Sequence, residues 1–290
     1  MNSRSTTAPL PQVTHDSIGY GTMHLTGPGI WGPPPDPDQA IALLRLAYEW
    51  GVRVFDSAWY YGPNITHQLL AEAFSPYPSD LVLITKAGNS RTNERGWAPA
   101  LGAEALRNAI HNDLRLLRLD SVPLALLRWQ PRLNDDAAFL EALSVMVAMR
   151  ESGKIDRLGL SNIELHHLQL AQSTTSIEGI SNAYSIRNQH DTEVLTSCAE
   201  NDIPYFPYYP LLGGEVLARS IVQKVARELS ATPAQVAIAW LRAKSPVIVP
   251  IPGTSRVKHL KENIEAYSLV IPEPLMNALT SPPVPPDPPW

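Results

Sequence analysis

The chain has 290 residues, of which 44% are hydrophobic and 18% charged, and its net charge is -5. That much apolar sequence builds a sizeable core and excludes a disordered chain, while the acidic balance argues against nucleic acid or a membrane surface as the main partner. A single cysteine, Cys198, excludes an intrachain disulfide; no apolar run approaches the ~20 residues that cross a bilayer, and no hydrophobic signal core opens the chain, so the expected location is the cytoplasm.

Residues 1–10 are small and polar and are expected to be loose. Residues 11–281 read as one domain, and 282–290, with six prolines, as a tail that cannot continue a helix. The first strand is expected near Ile18–Met23. Gly27 to Pro37 then reads as a long loop over a functional face, because structureless loops of that size are uncommon in compact domains. Asp36-Pro37-Asp38-Gln39 supplies an N-cap, a proline at the first helical position and a glutamine three residues on. That helix stops near Gly51.

Strands are expected next near Val52–Phe55 and Leu81–Thr85. Leu106, Ile110, Leu114 and Leu117 make one helical stripe, and Leu140, Leu143 and Val147 another that stops at Gly153, with a strand at Val122–Leu127 between them. Further strands are expected near Arg157–Leu160, Ile177–Ser181, Ile203–Pro207 and Val247–Val249. The span Leu195 to Asn201 reads as helix, with Cys198 as a buried structural thiol, and Thr232-Pro233-Ala234-Gln235 repeats the helix-start grammar. Eight strands, each followed by helical sequence, favour right-handed parallel crossovers and a closed (β/α)8 TIM barrel. An open doubly wound sheet is the alternative, but no G-x-G-x-x-G follows the first strand.

In such a barrel the chemistry sits where strands end. The second strand runs into Phe55-Asp56-Ser57-Ala58-Trp59-Tyr60-Tyr61-Gly62, and the third into Ile84-Thr85-Lys86. An aspartate holds a neighbouring lysine charged, and the lysine draws a phenol's pKa towards the working range for proton transfer. Taken singly, Asp56 reads equally as a cap, Lys86 as a surface amine and Tyr61 as packing.

Asp-x-Ala-x-x-Tyr-Gly, with a lysine at the end of the next strand, resembles the catalytic motif of the aldo-keto reductase superfamily. The resemblance runs from about residue 15 to 270, and takes in Gly19-Tyr20-Gly21-Thr22-Met23, Gly159-Leu160-Ser161-Asn162 and Pro250-Ile251-Pro252-Gly253-Thr254-Ser255. It implies the barrel, NADP(H) as cofactor, no metal, and carbonyl reduction by hydride transfer on a small-molecule substrate. It also implies that Asp56 and Lys86 tune Tyr61 as proton donor, that Gly21, Thr22 and Ser181 border the cofactor, and that Ser161 and Asn162 hold its carboxamide. Tyr208 takes the place of the ring that stacks on the nicotinamide. Gly253 and Thr254 lead into a helix whose apolar stripe is Val257, Leu260 and Ile264, and backbone donors at a helix start suit an anion. Ser255 and Arg256 then face the 2′-phosphate, with Glu262 and Asn263 near the adenine. Arg256, Lys258 and Lys261 on an acidic protein favour NADP over NAD, although Lys258 and Lys261 equally fit a solvated helix face.

The pattern breaks at two places. The family's fourth strand ends in a histidine, where this chain has Arg128 in Leu127-Arg128-Trp129-Gln130-Pro131, and no histidine lies between His111 and His166. At the sixth strand Ser181-Asn182 stands where the resemblance implies Gln-Asn, which shortens or removes a carboxamide contact. Arginine is a permanent cation with a planar fork of donors. Two cations around Tyr61, opposed by Asp56 alone, would favour the ionised phenol and make it a better base than acid. Arg128 has two other readings: it binds a substrate carboxylate or enolate-like oxygen, or it simply pairs with Asp56 or a loop acid and leaves the site impaired. Trp31, Trp59, Trp97 and Trp129 are expected to wall an aromatic pocket. The leading expectation is an NADP(H)-dependent oxidoreductase acting on a bulky, partly apolar substrate in specialised biosynthesis. A lyase, isomerase or cyclase using Tyr61 and Arg128 for proton transfer is one alternative, and a non-catalytic NADP sensor the other. Substrate identity and oligomeric state stay open.

Overall fold

Strands and helices alternate along the chain in the order that the hydrophobic periods predict. A computed structural model describes residues 13–130, 133 and 135–280; the expectations for 1–10 and 282–290 lie outside the described residues. The first half runs β1 (Ile18–Gly21), α1 (Pro37–Glu49), β2 (Val52–Asp56), α2 (Ile65–Phe74), β3 (Val82–Ala87), a hairpin of β4 (Asn89–Arg91) and β5 (Trp97–Pro99), and α3 (Ala103–Leu117). The second runs β6 (Val122–Arg128), α4 (Asp136–Glu151), β7 (Ile155–Ser161), α5 (Leu165–Gln172), β8 (Ile180–Ser181), α6 (Thr192–Glu200), α7 (Ser220–Glu228), α8 (Pro233–Lys244), α9 (Val257–Glu265) and α10 (Glu273–Thr280). The parallel sheet has the order β1-β2-β3-β6-β7-β8.

The two remaining staves of the (β/α)8 barrel are shorter than expected. Tyr205 bridges Ile180 on one side and Ile248 on the other, and Ala183 bridges Tyr208. The reason lies in the sequence: Pro204, Pro207, Pro246, Pro250 and Pro252 lack the N–H that a longer ladder needs. Closure onto β1 is equally spare. Gly21 N–H donates to Pro252 O at 3.4 Å, Tyr267 Oη accepts from Gly19 N–H and donates to Pro250 O, each at 3.2 Å, and the Tyr20 hydroxyl donates to Thr254 O. The backbones meet so closely that a Cβ at Gly19 would collide with the carbonyl of Pro250.

Alternation along each strand divides the core in two. Val54, Val82, Ile84, Leu124, Leu126, Phe206, Val249 and Ile251 fill the barrel. Intervening residues such as Phe55, Leu83, Ala125 and Leu127 pack against the helices. Burying one such aliphatic or aromatic side chain contributes about 1.5–3 kcal/mol. The helix starts follow the sequence: Asp36 accepts from Gln39 N–H at 2.9 Å, and Thr232 and Gln235 close a reciprocal capping box. Leu106, Ile110, Leu114 and Leu117 are buried, as is Cys198. One stripe is corrected: in α9 Leu260 is buried, while Val257, in the open first turn, is 48% exposed.

Candidate active site

One parity rule assembles the site. Asp56, Lys86, Arg128, Ser161, Ser181 and Tyr208 stand two residues beyond Val54, Ile84, Leu126, Gly159, Gly179 and Phe206, positions that face the barrel interior. Six strand ends therefore deliver six side chains onto one floor above the apolar plug. Register aligns them, since Arg128 pairs with Ser161 and Ser161 with Ser181.

Lys86 Nζ donates to Asp56 Oδ1 at 2.5 Å and to Ser57 O at 3.3 Å. Both side chains are almost wholly buried, so removing either partner would strand an uncompensated charge. Burial pushes the Asp56 carboxyl up, and Lys86 and then Arg128 hold it back. The Lys86 ammonium lies 5.4 Å from the centre of the Tyr61 ring. The Tyr61 phenol is pushed up, far above the usual tyrosine range, first by burial and then by the Asp56 charge, with Arg128 opposing. This corrects the charge count made from sequence. Two cations do not ionise Tyr61, because Asp56 is tied to Lys86 and burial disfavours the phenolate.

Arg128 does not pair with Asp56. Its Nη1 donates to Ser161 Oγ at 3.2 Å, and its guanidinium carbon lies 5.2 Å from the centre of the Tyr208 ring. Burial opposes the charge on Arg128, but a guanidinium keeps its proton at any working pH.

The strand end carrying Asp56 is braced by Thr22 and Lys86 together with Thr66, His67 and Asp113, three residues that spacing did not reveal. Thr22 Oγ1 donates to Asp56 O at 3.0 Å, Lys86 Nζ to Ser57 O, and Thr66 Oγ1 to Ala58 O at 3.2 Å, so three successive carbonyls each receive a side-chain donor. Ser57 Oγ lies 3.1 Å from His67 Nδ1, and His67 Nε2 lies 2.9 Å from Asp113 Oδ1. Both His67 and Asp113 are without exposure. Thr22, expected beside the cofactor, is turned down onto this brace and fully buried.

Of the four expected pocket tryptophans, Trp129 is misplaced. With Arg128 facing inward its neighbour must face outward, and Trp129 lies at 0% exposure against Phe139 and His167. Trp59 packs on the helical layer and sets its ring edge-on to Tyr60. Trp97 does stand at the mouth, 37% exposed and 6.4 Å from Tyr61. Trp31 reaches it through Arg91, whose guanidinium carbon lies 5.3 Å from the Trp31 ring and 4.2 Å from Trp97. Sequence reading missed the β4–β5 hairpin that carries these groups; its signal is the Asn93-Glu94-Arg95-Gly96 turn.

Directly after β7, Asn162 adopts a left-handed backbone (φ 59°). Its Nδ2 donates to Trp129 O at 2.9 Å and its Oδ1 accepts from the Tyr208 hydroxyl at 3.0 Å. Ser181 Oγ is buried with no hydrogen-bond partner. Gly21 and Gly253 face each other, and a Cβ on Gly253 would lie 2.6 Å from Gly21 O. Thr254 is buried, and its Oγ1 accepts from Arg256 N–H at 3.0 Å, which leaves Ser255 and Arg256 exposed where α9 begins. Asn263 is buried. Glu262 lies 3.9 Å from Lys258, and Lys261 3.5 Å from Glu265. Both lysines thus take the solvated-face reading, and Arg256 alone of the three cations has no acidic partner among the described residues.

Behind this wall, Asn182 clamps the backbone that follows Asn162. Its Nδ2 donates to Ile163 O at 2.7 Å and its Oδ1 accepts from Ile163 N–H at 3.1 Å. Asp191 Oδ2 accepts from Asn182 Nδ2 at 2.9 Å and from the Tyr205 hydroxyl at 2.5 Å. Burial pushes Asp191 up to about 7, against both hydrogen bonds. Between the ordinary value of 3.8 and about 7 the folded chain keeps a proton that the unfolded chain has lost, so this group's contribution to stability falls as pH rises through that window. Asp191→Asn is expected to flatten that slope in urea melts recorded across it; an unchanged slope would show that Asp191 is not the group responsible.

A model of the aldo/keto reductase family matches residues 17–281. The chain is 38% identical to pyridoxine 4-dehydrogenase of Escherichia coli (strain K12), over 90% of this chain and 93% of that one. Among solved structures, a thermostable aldo-keto reductase bound to the inhibitor epalrestat superposes with a TM-score of 0.77 at 28% identity, covering 91% of this chain and 94% of that one. An aldo/keto reductase of Klebsiella pneumoniae in complex with NADP and acetate shares the fold, with a TM-score of 0.75 at 23% identity over 91% and 89% of the two chains.

Proposed function

The chain belongs to the aldo/keto reductase family, and from that premise we propose that it is an NADP(H)-dependent oxidoreductase that interconverts an aldehyde and the matching alcohol on a flat, bulky, partly apolar ring. The observation that carries this reading is the half-buried Tyr61 phenol set beside the Lys86–Asp56 pair, with the Lys86 ammonium 5.4 Å from the centre of its ring. Aromatic rings flank it: Trp97, Tyr60 and, beyond Arg128, Tyr208. The E. coli relative is named for pyridoxine, a flat heteroaromatic alcohol, and that supports the substrate class.

The residues present fit the cofactor. The unpartnered Ser181 Oγ, with Ser161 and Asn162 beside it, suits a carboxamide. Ser255, the free Arg256 guanidinium and the open backbone of the first α9 turn suit a phosphate. The bound cofactor supplies the hydride. Tyr61 gives its proton to the carbonyl oxygen as charge develops there, and Lys86, held charged by Asp56, stabilises the phenolate left behind. Arg128 adds a second permanent cation on the same floor. In the reverse direction the same phenolate takes the hydroxyl proton of the alcohol, and a raised Tyr61 makes reduction the favoured direction at neutral pH.

Loss of NADPH absorbance on addition of an aromatic aldehyde, and its gain from NADP+ with the matching alcohol, tests the reading. Product without net cofactor change would replace it with the proton-transfer alternative. Arg256→Ala is expected to weaken NADPH binding by about 1–3 kcal/mol, the scale of a charge-assisted hydrogen bond, and to leave NADH binding unaltered. Equal losses for both cofactors in a fluorescence titration would remove Arg256 from the 2′-phosphate.

A further inference from the structure

We propose that Arg91 is a specificity-determining residue: it locks the 27–37 loop and the β4–β5 hairpin into one wall beside Tyr61, and that wall favours flat, bulky carbonyl substrates over small ones. The proposal rests on the oxidoreductase reading above. Its starting point is Ile30, a β-branched residue held in the left-handed region at φ 57°, where such side chains are genuine outliers. Strain of this kind persists only where the surroundings over-determine it. Two donors do so here, because the Ile30 carbonyl accepts from Arg91 Nη1 at 2.8 Å and from Gly62 N–H at 3.2 Å. Gly62 directly follows Tyr61 in the chain.

Arg91 reaches further than Ile30. Its Nη2 donates to Gly29 O at 3.1 Å and to Arg95 O at 2.7 Å, so one guanidinium collects two carbonyls of the loop and one of the hairpin turn. The same group is flanked by the ring of Trp31 from the loop and that of Trp97 from the hairpin. Trp97 in turn meets Tyr60 and Tyr61 edge-on at 5.7 and 6.4 Å. The loop closes on itself through Gly27 N–H to Gly32 O at 2.9 Å, and moves as a unit if its anchor is lost. Arg91 thus touches both halves of the wall, and the hairpin that carries it leaves the barrel directly after the strand of Lys86.

The test compares NADPH-dependent reduction of 2-naphthaldehyde and of propanal by the parent, Arg91→Ala, Arg91→Lys, Ile30→Gly and the Arg91→Ala/Ile30→Gly pair, with hydrogen exchange of residues 27–37 followed in each. Arg91→Ala is expected to lower the preference for the bulky aldehyde by about tenfold, the scale of lost charge-assisted hydrogen bonds. The loss should appear in KM, with faster exchange in the loop and NADPH affinity preserved. Arg91→Lys should not restore the preference, because a point charge cannot hold three carbonyls between two indoles. In the Ile30→Gly background the Arg91→Ala loss should shrink, since glycine adopts φ > 0 without a restraint. An unchanged substrate preference, or loop exchange that stays slow in Arg91→Ala, overturns the proposal. A parent that reduces neither aldehyde overturns the oxidoreductase reading and the substrate assignment with it, while the exchange data still decide whether Arg91 holds the loop.

Discussion

Tyr61→Phe is expected to abolish turnover, lowering kcat by about 10²–10⁴-fold, the usual contribution of general acid–base catalysis. The substitution removes one oxygen and keeps the ring, so the edge contacts with Tyr60 and Trp97 survive. The Lys86–Asp56 pair needs nothing from the phenol, since Lys86 donates to Asp56 and Ser57. Cofactor affinity should therefore match the parent in a fluorescence titration. The raised phenol also fixes a sign: reduction needs the protonated form, and burial moves its loss well above the ordinary tyrosine value of 10. Reduction by the parent should thus show no basic limb from this group below about pH 10. A kcat loss below about tenfold in Tyr61→Phe would demote Tyr61 to packing.

Arg128→His, which supplies the histidine that the resemblance implies for this strand end, is expected to reduce turnover of a flat aromatic aldehyde by about tenfold to a hundredfold, the scale of hydrogen bonds to a charged group. The change takes a permanent cation from among the phenols of Tyr60, Tyr61 and Tyr208 and breaks the donation to Ser161 Oγ. Tyr61 then becomes a still weaker acid, because Arg128 is the cation that opposes its rise. A neutral imidazole is a shorter donor, and turnover of small aldehydes should rise relative to the aromatic one. Arg128→Lys should fail as well, because a point charge cannot bond Ser161 and lie on the Tyr208 ring together. Undiminished turnover in Arg128→His would make the arginine a tolerated bystander.

The barrel was legible because its signals are local. Asp36-Pro37 and Thr232-Pro233 announce helix starts, and the strands announce themselves by aliphatic runs. The last two staves were over-read, although the prolines that shorten them stand in plain view. Asp56, Lys86 and Arg128 were legible as strand-end residues, and parity, applied once more, would have turned Trp129 outward. The direction of the Tyr61 shift was not legible. Counting charges gives its sign wrongly because the dominant influence is burial, which depends on the whole tertiary arrangement. His67 and Asp113 escaped for another reason: they come from different helices, and nothing in their spacing marks them as partners.

The closure of β1 against the last stave has a thermodynamic consequence. The join rests on Gly21 to Pro252, the Tyr267 phenol between Gly19 and Pro250, and Tyr20 to Thr254. Gly21 and Gly253 face each other across that join, and Ser255 and Arg256 continue from its far side. A dinucleotide bound by these residues, as proposed above, would fasten the two ends of the sheet to each other. Its binding free energy then adds to the cohesion of the barrel, by about 2.7 kcal/mol at a ligand concentration one hundred times Kd. On that proposal the supply of cofactor would set how firmly the barrel stays shut as well as how fast it turns over.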